Sequence, residues 1–262
     1  MNAQSPGTSS PAGAFALAAV LIITLAAWVG ARSPGPLDAS APPSQFSAGR
    51  AMQYLELTSP NEPTPIGSPG SDRVAAQLTD ELVRLGLRVQ VTEDVAARAF
   101  GPNTVAGRVQ NIIATLPGTD PTGTVIIAAH YASVFGGPGA ADDKAAVASA
   151  LETVRAVVET GPLRNHLVVL LTDGEEAGLL GATAHVDREG PRGVVLNFEA
   201  IGNGAPSMLF ETTPGNAGLL RAYTEAAPHP AGDSMLAAMY GAMDQFNTDL
   251  TVFADAGYLG DC

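Results

Sequence analysis

Apolar and polar residues follow one another along most of the chain in patterns that predict helices and strands in turn. Residues 71–86 begin with Ser-Asp, carry apolar residues at helical spacing and end at a glycine, which predicts a helix. Residues 87–93 and 108–118 are typical of strands, and the Pro-Gly pair that ends the second one marks a turn. This succession of elements begins at about residue 50.

Three continuous apolar runs predict strands that are buried on both faces. They are TVIIAAH, HLVVLLTD and GVVLNFE, at residues 124–130, 166–173 and 193–199. Residues 141–161 place apolar side chains on one helical stripe, and residues 178–186 predict a short helix. The stripe consists of Val147, Leu151, Val154 and Val158. Because buried strands that are separated by helices pair in parallel, a layered α/β domain is predicted.

An uncharged apolar run near the N-terminus, residues 14–31, has the length of a membrane-spanning helix. At about 1.5 Å per residue it would be roughly 27 Å long, which is close to the thickness of a bilayer's hydrocarbon core. A secretory signal peptide is the alternative, but such peptides carry a basic leader and no Lys or Arg precedes this run. Pro- and Ser-rich flanks argue against a buried core helix. We therefore expect a transmembrane helix, with a signal peptide as the second interpretation.

The segments on either side of this run lack the periodicity of folded elements. Residues 1–13 are small and polar and are predicted to be disordered. Residues 32–49 contain four prolines and are typical of a linker. The predicted domain therefore covers residues 50–262, which is enough for a sizeable core.

The charge of the chain bears on its partners. Asp and Glu number 26 against 13 Lys and Arg, which gives a formal net charge of −13. A field of this sign repels phosphate backbones and attracts cations, so we expect no nucleic-acid partner. Lys144 is the only lysine, and Cys262 is the only cysteine, which excludes a disulfide within the chain.

Side chains of metal-binding types stand at the carboxyl ends of the three apolar runs. His130 ends the first run, Glu175 and Glu176 follow the second, and Glu199 ends the third. Ligands of an open α/β sheet bind at this edge, where Asp142 begins the next predicted helix. An imidazole together with carboxylates suits zinc or a similar ion.

Such a set of side chains would serve a two-metal hydrolase. Two ions that share a bridging carboxylate polarise a carbonyl and activate a water together. A further carboxylate must then stay off the metals and take the proton of that water. The adjacent pair Glu175 and Glu176 offers this division of roles, because neighbouring side chains do not point the same way.

Each of these residues also has a simpler interpretation. Asp142 and Asp143 would favour the dipole of the helix that they begin. The two glutamates would be a solvated loop pair, and His130 would be a core histidine with satisfied hydrogen bonds. The occurrence of all of them at one sheet edge favours the metal site.

The segments HYASVFGGPGAADD, TDGEEAGLLGA and NFEAIGNG resemble the zinc-dependent exopeptidases of the aminopeptidase Y and glutamate carboxypeptidase II type. Within that family, the chain is similar to the membrane-anchored endoplasmic-reticulum metallopeptidases and vacuolar membrane proteases. The resemblance covers residues 50–262 and implies a three-layer sandwich with a mostly parallel central sheet. It also implies a peptide substrate and an extracytoplasmic catalytic face, whereas the lone Arg32 after the apolar run would favour the cytoplasm.

The resemblance implies a role for each candidate residue at a centre of two zinc ions. His130 and Glu199 would bind the first ion, and Glu176 would bind the second. Asp142 would bridge the two ions, and Glu175 would be the general base.

Three departures from the family pattern bear on activity. The resemblance implies an Asp two residues after His130, where this chain has Ala132, and loss of such a supporting group commonly costs about 10–100-fold in metal affinity or activity. Lys144 stands where the family usually has Gly and would lay its ammonium on Asp142 or Asp143. The family's last ligand is a His in a Tyr-His segment that would follow residue 262.

The sequence therefore predicts a membrane-anchored metallopeptidase, with an aminopeptidase as the expected activity. One alternative is a catalytically inactive domain of the same fold that binds or scaffolds. The other is a truncated fragment of an active peptidase.

Overall fold

The computed structural model describes residues 11–30, 35–100, 102–200, 207–242 and 247–262. In chain order, its elements are α1 (Pro11–Gly30), α2 (Ala48–Thr58), α3 (Pro69–Arg84), β1 (Arg88–Phe100), β2 (Asn103–Leu116), β3 (Thr124–His130), α4 (Ala145–Glu159), β4 (His166–Thr172), α5 (Leu180–Asp187), β5 (Val194–Asn197), α6 (Ala217–Ala226), α7 (Ser234–Ala242), α8 (Asp249–Asp255) and β6 (Leu259–Asp261). A short helical turn, Ala140–Lys144, leads into α4.

The six strands form one mixed sheet in the order β1-β2-β4-β3-β5-β6. The pairs β4–β3, β3–β5 and β5–β6 are parallel, and β1–β2 and β2–β4 are antiparallel. The predicted α/β sandwich with a mostly parallel central sheet is confirmed, with an antiparallel hairpin at one edge.

Helices cover both faces of this sheet, which explains the continuous apolar runs. Along β4, Val169 and Leu171 pack in a cluster with α3 and α4, whereas Val168 and Leu170 pack in a second cluster with α5 and α8. Successive strand residues point to opposite faces, so a strand in the middle layer needs an apolar residue at every position.

Two details of the predicted elements differ from the structure. Val158, predicted on the buried stripe of α4, is 39% exposed, since it lies in the last turn of the helix. Residues 94–100 of β1 and 103–107 of β2 belong to the hairpin, although no strand was predicted for them. Exposed and half-buried positions dominate these residues, so they lack an apolar signal.

The segment before α2 is fastened to the domain. Ser47 is fully buried, caps α2 by accepting from the backbone N–H of Arg50, and donates its own N–H to Glu152 Oε1 at 2.9 Å. The part of the predicted linker from Leu37 to Ser47 therefore packs on α4, and α2 crosses the predicted boundary at residue 50.

Helix α1 belongs to a unit of its own, apart from the unit Pro36–Gly204 and Met208–Cys262. Within the described part of the chain, it is the one helix long and apolar enough to span a membrane, with a mean hydropathy of 2.3. A signal sequence would meet the same criteria. Residues 11–13 form its first turn, and the rest of the segment predicted to be disordered lies outside the described residues.

Candidate metal centre

The candidate site lies at the carboxyl ends of β3, β4 and β5. The register pairs His130 with Thr172 at the end of β4, and β5 ends next to β3. Parallel pairing thus brings to one edge the residues that follow three strands separated in sequence. All five residues that were predicted for the site are brought together there.

His130 is the central side chain of this cluster and is almost fully buried. Its Nε2 lies 3.1 Å from Asp142 Oδ1, 3.5 Å from Glu199 Oε1 and 3.8 Å from Glu175 Oε2. Four carboxylate-bearing residues, the fourth being Glu176, therefore surround a single imidazole nitrogen.

The other imidazole nitrogen of His130 bonds to the backbone. His130 Nδ1 lies 3.0 Å from the carbonyl oxygen of Ala132, so Nδ1 carries the proton and Nε2 keeps its lone pair for a ligand. A backbone carbonyl orients a metal-binding histidine as a carboxylate does. The Ala132 carbonyl thus supplies the contact for which the family resemblance implies an Asp side chain.

A tight loop between β3 and α4 positions the two aspartates. Gly139 has φ +69°, and a Cβ at this position would lie 2.7 Å from the Asp142 carbonyl oxygen, so only glycine allows the close approach. The bond from Lys144 N–H to the Gly139 carbonyl closes the turn at 3.1 Å. Asp142 is exposed, whereas Asp143 is buried and accepts from the backbone N–H of His130 at 3.3 Å.

The prediction for Lys144 was wrong. Its ammonium is fully buried and donates to Thr64 Oγ1 at 2.8 Å and to the Pro138 carbonyl at 2.6 Å. These two neutral acceptors satisfy two of the three hydrogen bonds that an ammonium can donate. The ammonium therefore forms no ion pair with Asp142 or Asp143 among the described residues.

The geometry offers two overlapping sets of metal ligands. Ligand atoms of His130, Asp143 and Glu199 lie within 4.8 Å of one another, and so do those of His130, Asp142 and Glu176. The first set is largely buried, and the carboxylates of the second are exposed. Asp143 had no ligand role in the sequence analysis, so its place in the first set is new.

These donors fit a zinc-like cation. One imidazole and two carboxylates match the donor types of zinc sites. Glu199 Oε2 is buried and has no hydrogen-bond partner among the described residues. An anionic oxygen in that position is costly to bury unless a cation accompanies it.

The electrostatics of the cluster also bear on whether it would bind a cation. Burial alone would lower the pKa of His130, but its bonds to Asp142 and Glu199 and the charge of Asp143 raise that pKa well above the usual value. Burial, together with the charges of Asp249 and Glu199, raises the pKa of Glu175 to about 9. The ionised form of Glu175, which this environment disfavours, would be stabilised by a positive charge beside it.

The loop between β4 and α5 separates the two glutamates. The Glu175 carbonyl accepts from the backbone N–H groups of Gly178 and Leu179 at 2.8 and 2.7 Å, which folds the loop into a tight turn. The Glu175 side chain is 11% exposed and faces His130, whereas Glu176 is exposed. The pair thus differs in burial, as separate roles would require.

Comparison with known protein families adds to this geometry. The family model of "Peptidase family M28" matches residues 111–260, which is more than half of the chain and includes every candidate residue. The chain belongs to peptidase family M28.

Relatives and solved structures agree with the M28 assignment. The chain is 26% identical over 232 residues to endoplasmic reticulum metallopeptidase 1 of Mus musculus, covering 81% of this chain and 26% of that protein. It is 39% identical over 151 residues to a vacuolar membrane protease of Coccidioides posadasii, covering 55% of this chain and 14% of that protein. The chain thus spans about a quarter or less of the length of these relatives.

Two solved structures share the fold of this M28 chain at low identity. The zinc aminopeptidase BSAP of Bacillus subtilis has a TM-score of 0.62 at 15% identity, covering 83% of this chain and 84% of that chain. A glutaminyl cyclase of Tannerella forsythia has a TM-score of 0.62 at 17% identity, with the same coverage. The likeness at this identity concerns the fold alone.

The structure adds one buried carboxylate to this M28 site that sequence reasoning missed. Asp249, in the first turn of α8, is buried, and its Oδ2 accepts from the Thr172 hydroxyl at 2.5 Å. Its Oδ1 has no partner among the described residues, and its charge reaches His130 and Glu175. The cap Thr248-Asp249 marks a helix start in the sequence, but only the packing of α8 under the site reveals its neighbours.

Proposed function

We propose that the chain is a membrane-anchored zinc metallopeptidase that removes amino-terminal residues from peptides. The observation that carries the proposal is the arrangement around His130, whose Nε2 faces four acidic residues while its Nδ1 is held by the Ala132 carbonyl. Membership of the M28 family and the metallopeptidase relatives support the same class of reaction.

The proposed centre holds two zinc ions. The family resemblance implies that His130, Asp142 and Glu199 would bind the first ion and that Asp142 would also serve the second beside Glu176. Asp143 would share in the first site, because its ligand atom is the one grouped with those of His130 and Glu199. Because both ligand sets contain His130, the second ion would rely on Asp142 and Glu176 among the described residues. When bound, the ions would polarise the scissile carbonyl and lower the pKa of a water.

Glu175 would act as the general base. Its carboxylate lies beside His130 Nε2 but belongs to neither ligand set, which leaves it free to accept a proton. Its raised pKa would fall once cations balance the neighbouring carboxylates, so that it is ionised at neutral pH. It would then take the proton from the attacking water and pass it to the leaving amine.

The alternative is an inactive binding domain. Two of the sequence observations that favoured it, Ala132 and Lys144, have less force once their contacts are known. The Ala132 carbonyl bonds to His130 Nδ1, and the Lys144 ammonium bonds to Thr64 and Pro138. Neither residue therefore opposes metal binding in the way that was expected from the sequence.

The test compares the full chain with its Glu175→Gln variant in detergent, after loading with zinc. We expect wild type to bind zinc and to cleave aminoacyl-anilide substrates but not their N-blocked forms. Glu175→Gln should keep the metal while kcat falls by about 10²–10⁴-fold, the usual contribution of a general base. Glu56→Gln, an exposed site on α2, is the matched control.

Three results would count against this proposal. Wild type without metal and without turnover would favour the inactive domain. Turnover that survives in Glu175→Gln would remove the assigned base. Cleavage of N-blocked peptides from the carboxyl end would replace aminopeptidase with carboxypeptidase activity.

A further inference from the structure

The loop that carries Glu175 and Glu176 is closed at its base by a side chain from another strand. Asn111, in β2, is 1% exposed. Its Oδ1 accepts from the backbone N–H of Asp173 at 3.0 Å, and its Nδ2 donates to the Gly181 carbonyl at 2.8 Å. One amide group thus joins Asp173, the first residue after β4, to Gly181 in the first turn of α5.

These bonds begin where the backbone ladder between β2 and β4 ends. The last paired residues of that ladder are Ile112 and Leu171. Asn111 continues the pairing through its side chain. Beside it, the backbone N–H of Gln110 donates to Asp173 Oδ2 at 3.0 Å.

The base of the loop leaves no space for a larger residue at Gly181. A Cβ at this position would lie 2.3 Å from the Asp173 carbonyl oxygen and 2.8 Å from Asn111 Oδ1. The two ends of the loop are therefore in direct contact, and the Asn111 amide lies against both. Between them, the loop turns through Gly174 at φ +67° and Gly178 at φ +110°.

When the ends of a loop are joined in this way, its side chains have a smaller range of positions than in an open loop. Glu175 and Glu176 lie two and three residues from Asp173, so any opening of the base changes where both carboxylates point. A displacement of about 1 Å in a catalytic group costs on the order of 10²-fold in rate. The amide of Asn111 supplies both a donor and an acceptor here, which neither Asp nor an apolar residue can do.

We propose that Asn111 is a positioning residue for the metal centre and that, with Gly181, it fixes the loop carrying Glu175 and Glu176. Asn111 touches neither metal nor substrate, and it acts through the backbone of Asp173 and Gly181. This inference rests on the roles proposed above for the two glutamates.

Two variants open the base of the loop by independent routes. Asn111→Leu keeps the volume of the side chain and removes both hydrogen bonds. Gly181→Ala leaves Asn111 in place and forces the two ends apart. Thr92→Val is the matched control, because Thr92 is buried directly opposite Asn111 in β1, and no hydrogen bond among the described residues joins its side chain to Asp173 or Gly181.

Three measurements on the full chain separate positioning from general stability. They are amide hydrogen exchange over residues 173–181 without metal, the zinc dissociation constant by competition with a chromophoric chelator, and kcat. We expect both variants to exchange faster in this segment, to bind zinc more weakly and to lose about 10²-fold in kcat. Thr92→Val should match the wild type in all three.

The outcomes distinguish this inference from the proposed function. Exchange over 173–181 that stays as slow as in Thr92→Val would overturn the closure of the loop. Faster exchange with unchanged zinc affinity and unchanged kcat would overturn the positioning role. A wild type without metal or turnover would refute the proposed function, while the exchange data would still test the closure. If Asn111→Leu does not fold, Gly181→Ala carries the test with every hydrogen-bonding side chain present.

Discussion

At His130, binding of a metal ion competes with binding of a proton. The neighbouring carboxylates raise the pKa of this imidazole above its usual value even though burial opposes the change. A metal ion bound through Nε2 would therefore compete with a proton that these carboxylates favour. We expect the apparent zinc affinity to fall as the pH is lowered, by up to about tenfold per pH unit for one displaced proton.

Competition titrations at several pH values measure this dependence. His130→Asn should bind zinc weakly and lose the steepest part of the pH dependence, because it has no imidazole to protonate. His229→Asn, at an exposed histidine, should retain the wild-type slope. An unchanged slope in His130→Asn would show that other groups release the proton.

Lys144 gives a second prediction at the scale of one residue. Burial lowers the pKa of its ammonium from 10.5 to about 8, although Asp142 partly offsets the effect. Above pH 8 the folded chain has released a proton that the unfolded chain still binds, so the free energy of unfolding rises with pH up to the unfolded pKa. The gain is on the order of 3 kcal/mol, at 1.36 kcal/mol for each unit between the two pKa values.

Denaturant titrations of wild type and Lys144→Met between about pH 7 and 10 test this effect. The wild type should gain stability relative to Lys144→Met as the pH rises, because methionine has no proton to release. A constant difference across the range would mean that the buried ammonium keeps its ordinary pKa. Arg192→Met, at an exposed residue, is the control for loss of a positive charge.

At the scale of elements, the apolar runs carry most of the information that predicts the site. His130, Glu175 and Glu199 were found because each follows an apolar run, and parallel strands bring their carboxyl ends to one edge. Asn111 and Asp249 gave no such signal. Asn111 reaches the loop only through antiparallel pairing of β2 with β4, 62 residues away, and Asp249 bonds to Thr172 across 77 residues. Contacts of this range depend on strand order, which periodicity does not encode.

Lys144 is a second example of a contact that the sequence pattern did not reveal. Its spacing from Asp142 suggested an ion pair, because residues close in sequence are the neighbours that a sequence reveals. Of the two acceptors that it has in the structure, Thr64 lies 80 residues earlier in the chain, and the other is the backbone carbonyl of Pro138.

Helix α4 and the segment before α2 are joined by a buried carboxylate. Glu152 is 0% exposed and accepts from Ser47 N–H and from Arg50 Nε, both at 2.9 Å, and from Arg155 Nε at 2.6 Å. Glu152→Gln would leave the two guanidinium groups without their counter-charge. Breaking a buried pair costs about 3–5 kcal/mol, and the partial exposure of both arginines places the expected loss at the lower end.

Hydrogen exchange and limited proteolysis of residues 36–47 report on this joint. In Glu152→Gln we expect this segment to exchange faster and to be cut sooner. Glu159→Gln, at an exposed position on the same helix, should behave as wild type. Equal protection in both variants would mean that the segment is held by its apolar contacts instead.

At the scale of the whole molecule, the orientation of α1 in a membrane would decide on which side the domain lies. The apolar length of α1 supports a membrane anchor, and the family resemblance of the sequence implies an extracytoplasmic domain. Arg32, just after the apolar run, is weak support for the opposite orientation. A cysteine-labelling experiment distinguishes these two orientations. It is feasible because the one native cysteine, Cys262, is buried and should react slowly.

Asp120→Cys introduces a thiol at an exposed site of the domain, and Ser9→Cys introduces one before α1. In intact cells, a membrane-impermeant maleimide should label Asp120→Cys and spare Ser9→Cys until the cells are lysed. The reverse pattern would place the domain in the cytoplasm, as Arg32 suggests. Loss of the Ser9→Cys label even after lysis, with a shorter chain on the gel, would identify residues 14–31 as a cleaved signal peptide. Because the proposed metal centre would meet its peptides on the side where the domain lies, this labelling pattern would also identify the compartment that supplies them.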